Sequence, residues 1–265
     1  MKSKLQYLYL LAFVLAVIAA AEFIGIQSIK IGSVKINLLP LVFAILITMV
    51  LGFSIFRKGF MKKIYSKENV GFAGKYLIFI MLPLMARYGA DVAPRIEDIL
   101  KVGWVFLIQE IGNLGTILLG LPIAILIGLR REAIGATLGL GREGELAYIS
   151  EKYTLDSAEG RGVLSLYIIG TLFGTLFFSI IAPIMHAAGF SIEALAMASG
   201  VGSASMMTGS SSALIASAPE MEQTINGYAA ASQLLTSFLG TYTMVFLAVP
   251  LQRFMYKLLV RGEKK

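Results

Sequence analysis

The stretch Ser199-Gly200-Val201-Gly202-Ser203-Ala204-Ser205-Met206-Met207-Thr208-Gly209-Ser210-Ser211-Ser212 decides how this chain is read. It lies within residues 191–217, a segment long enough to cross a bilayer as a helix. Polar groups in hydrocarbon cost several kcal/mol unless they are satisfied, so a run this polar needs partners or a purpose. Glycine lets the backbone unwind, which frees carbonyls that suit Na⁺ and amides that suit an anion. The competing reading is close helix packing through small residues.

Outward from that stretch, the whole chain is apolar. Of its 265 residues 57% are hydrophobic and 15% charged, and the mean hydropathy is +0.79. A soluble domain is nearer half apolar and a quarter charged. The apolar residues run on without the alternation of an outer-membrane barrel strand. Cysteine is absent, which excludes disulfides and thiolate metal sites, and one histidine, His186, argues against a histidine-rich metal site. The expected fold class is an all-α polytopic membrane protein, one transmembrane domain over 1–265. About eight spans are expected: 5–27, 37–56, 76–92, 97–129, 133–150, 162–188, 191–217 and 223–252.

The net charge of +7 could suggest nucleic acid, but the basic residues cluster between spans, which is the positive-inside pattern. With the N-terminus in the cytoplasm, inside segments hold fifteen Lys and Arg and outside segments five. Both termini are therefore expected in the cytoplasm, in a prokaryotic inner membrane. This parity needs 133–150 to cross, or 191–217 to be re-entrant. Leu82-Pro83-Leu84-Met85 with Gly89 matches Ala182-Pro183-Ile184-Met185 with Gly189. That suggests inverted repeats over 37–129 and 133–217, with 5–27 and 223–252 as flanking spans.

Two further spans carry polar groups near their middles. In 97–129, Gln109, Asn113 and Thr116 fall on one helix face with Glu110 beside them. In 133–150, Gly139-Leu140-Gly141-Arg142-Glu143-Gly144-Glu145 cannot be a plain lipid-facing helix. The candidate substrate-binding residues are Arg142, Asn113, Gln109, Ser203, Ser205, Thr208 and Ser210. The forked guanidinium of Arg142 suits a carboxylate. The candidate ion-coupling residues are Glu110, Glu143, Glu145, Gly200, Gly202 and Ser211, whose oxygens suit Na⁺ or H⁺. Structural readings compete at each: an ion pair at Arg142, interhelical hydrogen bonds at Gln109 and Asn113. His186 and Trp104 read as interface residues, and Gly170 with Gly174 as helix packing. No catalytic triad, nucleotide motif or metal-protease motif is present, so an enzyme is not expected.

Gly141-Arg142-Glu143, the stretch from Glu151 to Gly162, and Gly200 to Met207 resemble an uncharacterised prokaryotic membrane family, domain of unknown function 3100. More loosely, the interrupted spans look like the transporter superfamily for bile acids, ketodeoxygluconate, 2-hydroxycarboxylates and lysine. That likeness implies crossed broken helices around substrate and Na⁺, on about ten spans rather than eight. The expected function is secondary transport of a small solute, an organic anion coupled to Na⁺ or H⁺. The alternatives are an exporter of a cationic amino acid or cation, and a passive channel or structural membrane protein. The expected partners are the solute, the bilayer and a second copy in a homodimer, without nucleic acid or a cofactor beyond the coupling ion.

Overall fold

A computed structural model describes residues 2–31, 34–38, 40–139 and 142–260. Nearly all of it is helical. Helix α1 (Lys2–Ile24) ends at Gly25, whose φ of +67° an L side chain rarely adopts. A short antiparallel hairpin follows, β1 (Gln27–Ile31) on β2 (Val34–Leu38). It is a small departure from the expected all-α fold. It also shortens the second apolar segment to α2 (Pro40–Leu51). The basic stretch then holds α3 (Phe60–Ile64) and leads into α4 (Lys67–Val92), capped by the Ser66 hydroxyl, which accepts from the Asn69 amide.

Among the described residues three segments are long and apolar enough to cross a membrane: Tyr7–Ile24, Gly103–Leu126 and Pro219–Leu259. Pro40–Leu51 and Thr175–Ala187 are shorter apolar helices. Gly103–Leu126 follows the short α5 (Ile96–Lys101). It joins α6 (Gly103–Gly112) to α7 (Leu121–Leu126) through a π-helical turn at Thr116–Gly120. Similar turns interrupt two other rods. One is at Gly170–Gly174, between α10 (Ala158–Ile169) and α11 (Thr175–Ala187). The other is at Met244–Ala248, between α14 (Glu222–Thr243) and α15 (Val249–Leu259). Such turns are rare and recur at functional sites.

The segments expected as spans five and seven are not continuous helices. The first is α8 (Glu132–Thr137) and α9 (Arg142–Tyr153), the second α12 (Ile192–Ser199) and α13 (Ala204–Ser217). Glycines explain both breaks: Gly139 and Gly202 take φ of +64° and +81°. The approach turns match too, because Gly128 and Gly189 both have φ of +98°.

Each pair folds back to the end of the bundle where it began. At the root of α8–α9, the Arg131 guanidinium donates to both Glu159 oxygens at 2.8 and 3.1 Å, so the chain has returned before α10 starts. At the root of α12–α13, Ile192 shares a core with Leu214, Ala218 and Ala182. At 1.5 Å per residue α13 spans about 21 Å and α9 about 18 Å.

The two hairpins lie at opposite ends. One core collects Phe106, Ala182, Ala196, Leu214, Ile225 and Tyr228. The other collects Ile117, Leu121, Leu138, Ile149, Met244 and Ala248. Phe106 and Ile117 occupy opposite halves of one rod, as do Ile225 and Met244 of another. Ile117, Leu121, Leu138 and Ile149 are fully buried and hold by close van der Waals packing. Close backbone approach at glycine fixes the second hairpin's arms and the root of the first. A Cβ on Gly135 would strike the Glu159 carbonyl, and one on Gly209 would lie 2.7 Å from Ser179 Oγ.

Candidate functional site

The tips of the two hairpins end against the polar middle of α14. A Cβ at Gly200 would strike the Ala229 carbonyl and Ser232, so the tip of α12–α13 sits directly on that helix. A Cβ at Gly144, near the start of α9, would lie 3.6 Å from Thr241 Oγ1. The other side of that tip, Gly139, presses on Thr116. The tips thus meet α14 nine to twelve residues apart, on the order of 14–18 Å along its axis.

Gln109, Glu110 and Asn113 of the α6 rod occupy the interval between them. The Gln109 amide donates to Ser232 Oγ at 2.8 Å and Thr236 Oγ1 at 3.0 Å, and the Ser232 hydroxyl donates back to Gln109 Oε1 at 3.0 Å. This closed pair fixes α6 to α14 at the level of the polar layer. Glu110 is 5% exposed, with Asn113, Thr236 and Thr243 beside its carboxyl. Neither Glu110 oxygen reaches a partner at hydrogen-bond geometry, and neither does the Asn113 amide nitrogen. A buried group left this way forfeits about 1–3 kcal/mol or more.

The second hairpin carries most of the remaining expected residues on α13 and at its start. Ser203 begins α13 in an extended conformation, buried, with its hydroxyl 3.2 Å from that of Ser205. Thr208 donates to the Ala204 carbonyl at 2.8 Å and faces Tyr88. The Tyr88 hydroxyl is buried without closing a hydrogen bond. Ser210 and Ser211 are buried on α13, Ser211 reaching toward the Thr208 carbonyl at 3.5 Å. Gly200 and Gly202 serve shape: one admits α14, the other turns the chain.

In the first hairpin, Glu145 is buried on α9. The side chains of Arg142 and Glu143 lie outside the described residues. His186 Nδ1 lies 3.3 Å from the Phe190 carbonyl oxygen, which can only accept.

The sequence reading missed the other wall of the layer, Ser232, Gln233, Thr236 and Thr243 on α14 and Tyr88 on α4. The signal was available: Ser232, Thr236 and Gly240 recur every four residues inside an apolar span, and all three are buried. Gln233 donates to Ser237 at 3.2 Å while its own carbonyl oxygen stays unpartnered. Among the described residues no group of three or more His, Cys, Asp or Glu could hold a metal ion.

A helical bundle with membrane-length apolar rods and a buried polar layer is a polytopic membrane protein. Residues 19–258 match the family model described as "Protein of unknown function (DUF3100)", and the chain belongs to that family. No curated protein and no solved structure matches it.

Proposed function

We propose that the chain is a secondary active transporter of a small solute, with its site between the two hairpin tips. One observation carries this reading: the unpartnered Glu110 carboxyl sits in a polar layer reached from opposite ends by two glycine-broken hairpins. Irregular backbone at membrane depth is tolerated where protein buries it or where it lines a cavity, and transporters use such breaks to hold ions and solutes.

The residues divide the work by charge. Arg142, at the tip of the first hairpin, holds the carboxylate of an organic anion. Glu110, with the Thr236 and Thr243 hydroxyls, takes the coupling Na⁺ or proton. Ser203, Ser205 and Thr208 supply neutral donors and acceptors to the solute. Each ligand binds better with the other present, which couples them.

An inverted repeat supports alternating access. Pro122, Ile123, Gly128, Glu132, Ala133, Gly139 and Gly141 recur 61 positions later as Pro183, Ile184, Gly189, Glu193, Ala194, Gly200 and Gly202. Each copy is the end of a rod, a left-handed glycine turn and a hairpin, and the copies enter from opposite ends. We read six crossings and two re-entrant hairpins, with both termini in the cytoplasm of a prokaryotic inner membrane. In that topology Lys152 and Arg161 join the inside set, which deepens the positive-inside bias.

The test is solid-supported membrane electrophysiology on proteoliposomes, with jumps of 2-oxo acids, hydroxy acids, dicarboxylates and basic amino acids, in Na⁺ or choline. A saturable transient current that Glu110→Gln removes is expected. A conductance that never saturates, or a current unchanged in Glu110→Gln, overturns the site. A second reading, transport of a cationic solute, rests on the same carboxyl. It predicts current only with the basic amino acids.

A further inference from the structure

A second cavity lies away from that site. It is a groove of about 650 Å³ between α1 and α2, lined by Val14, Val17, Ala44, Ile45 and Met49 and closed at one end by Tyr65 with Arg57. The size and the apolar lining with few polar groups are those of a small-molecule site.

The polar end is built with care. The Tyr65 hydroxyl donates to the Thr48 carbonyl at 2.7 Å. Its ring meets Phe13 edge-on at 5.9 Å and covers Gly52, where a Cβ would lie 3.4 Å from the ring. The Arg57 guanidinium stands 5.5 Å from the Tyr65 ring centroid. That is cation–π distance, so the aromatic ring holds the charge at the mouth of the groove. Arg57 is exposed, as are Lys58, Lys62 and Lys63, and among the described residues none of the four has a carboxylate partner.

Around the groove, α1 presents Leu11, Val14, Leu15 and Ile18 outward, and only 11% of its membrane-length window is buried. The groove therefore opens along the face that meets hydrocarbon, while its cationic end sits where the apolar helices stop. A water-soluble ligand would have to enter through lipid. An amphiphile already in the bilayer would not.

We infer that this groove binds an anionic glycerophospholipid. One acyl chain lies along Val14, Val17, Ala44 and Ile45, and the headgroup phosphate sits on Arg57 with Lys58 and Lys62 nearby. A forked guanidinium suits phosphate, and basic clusters at membrane edges attract anionic headgroups. The inference stands apart from the transport reading, since no residue of the groove belongs to the polar layer.

The experiment is thermal unfolding of the full chain in a neutral detergent, titrated with phosphatidylglycerol, phosphatidylcholine of the same chains, or oleate. A ligand that binds only the folded state raises the midpoint in a saturable way. Phosphatidylglycerol should raise it by several degrees at a mole fraction where phosphatidylcholine and oleate do little. Arg57→Gln should remove that difference, and this exposed substitution leaves the fold intact. Ala44→Phe, which fills the groove, should make the protein indifferent to all three. Equal shifts from the two phospholipids, a full shift from oleate alone, or an undiminished difference in Arg57→Gln each overturns the proposal.

Discussion

Replacing Glu110 by Gln keeps the shape of the side chain and removes its capacity for charge. The wild-type carboxyl is buried with both oxygens unpartnered, so the amide exchanges a costly group for a cheaper one. We expect Glu110→Gln to raise stability by about 1 kcal/mol while abolishing transport, the trade expected of a site kept for use. Thermal unfolding beside transport currents checks it, and a destabilised variant would mean the carboxyl is a structural acceptor. The two glycines of the second hairpin separate in the same way. Gly200→Ala forces a methyl onto the α14 backbone and should cost about 1–3 kcal/mol. Gly202→Ala meets open space and should cost only about 1 kcal/mol, for the left-handed φ. Equal costs would mean that the tip does not rest on α14.

Between residue and fold stand the hairpins, and at the root of the first the ion pairs are asymmetric. Glu159 is 2% exposed and Arg131 64%. Arg131→Ala strands a buried carboxylate and should destabilise the protein more than Glu159→Gln, which leaves an arginine free to reach water. Chemical denaturation of the two variants orders them. The neighbouring pair, Arg161 with Glu132 at 3.0 Å, is exposed. Backbone hydrogen bonding at its own helix start, then Arg161, hold the Glu132 carboxyl below the usual range. A depressed carboxylate stabilises above its unfolded value and stops doing so as pH falls through the folded one. Any contribution from Glu132 is therefore present near neutrality and lost only below about pH 4. Unfolding midpoints of wild type and Glu132→Gln should converge there and nowhere higher.

These hairpins also show what could be read from residues alone. The glycine-rich breaks at 139–144 and 199–209 were legible as polar interruptions, because glycine and serine in hydrocarbon demand an explanation. Their direction was not. An apolar segment of about twenty residues reads the same whether it crosses or folds back, and only contacts such as Arg131 with Glu159 place its two ends together. The two proline–glycine stretches matched in the sequence differ locally: Pro83 stays within α4, which runs unbroken to Val92, whereas Pro183 leads to the left-handed Gly189 that ends its rod, as Pro122 leads to Gly128. The α14 wall was overlooked because serine and threonine in a long apolar helix can satisfy themselves on their own backbone. Which of them instead face Glu110 is decided by packing.

For the whole molecule the fold-back has one consequence that separates six crossings from eight. If α8–α9 returns to the side it left, Lys152 and Arg161 lie on the side of the N-terminus. If that segment crosses, they lie on the opposite side. The chain contains no cysteine, so single cysteines can be introduced without background. Both positions are exposed, and so are Lys58, near the start of the basic stretch, and Glu97, at the start of α5. Right-side-out vesicles treated with a membrane-impermeant maleimide should label Glu97→Cys and spare Lys58→Cys, which fixes the two reference sides. Lys152→Cys should then be spared and should label only after the vesicles are opened. Labelling of Lys152→Cys together with Glu97→Cys would mean that the segment crosses. The hairpins would then not oppose each other across the bilayer, and the arrangement that makes Glu110 a shared site would fail with them.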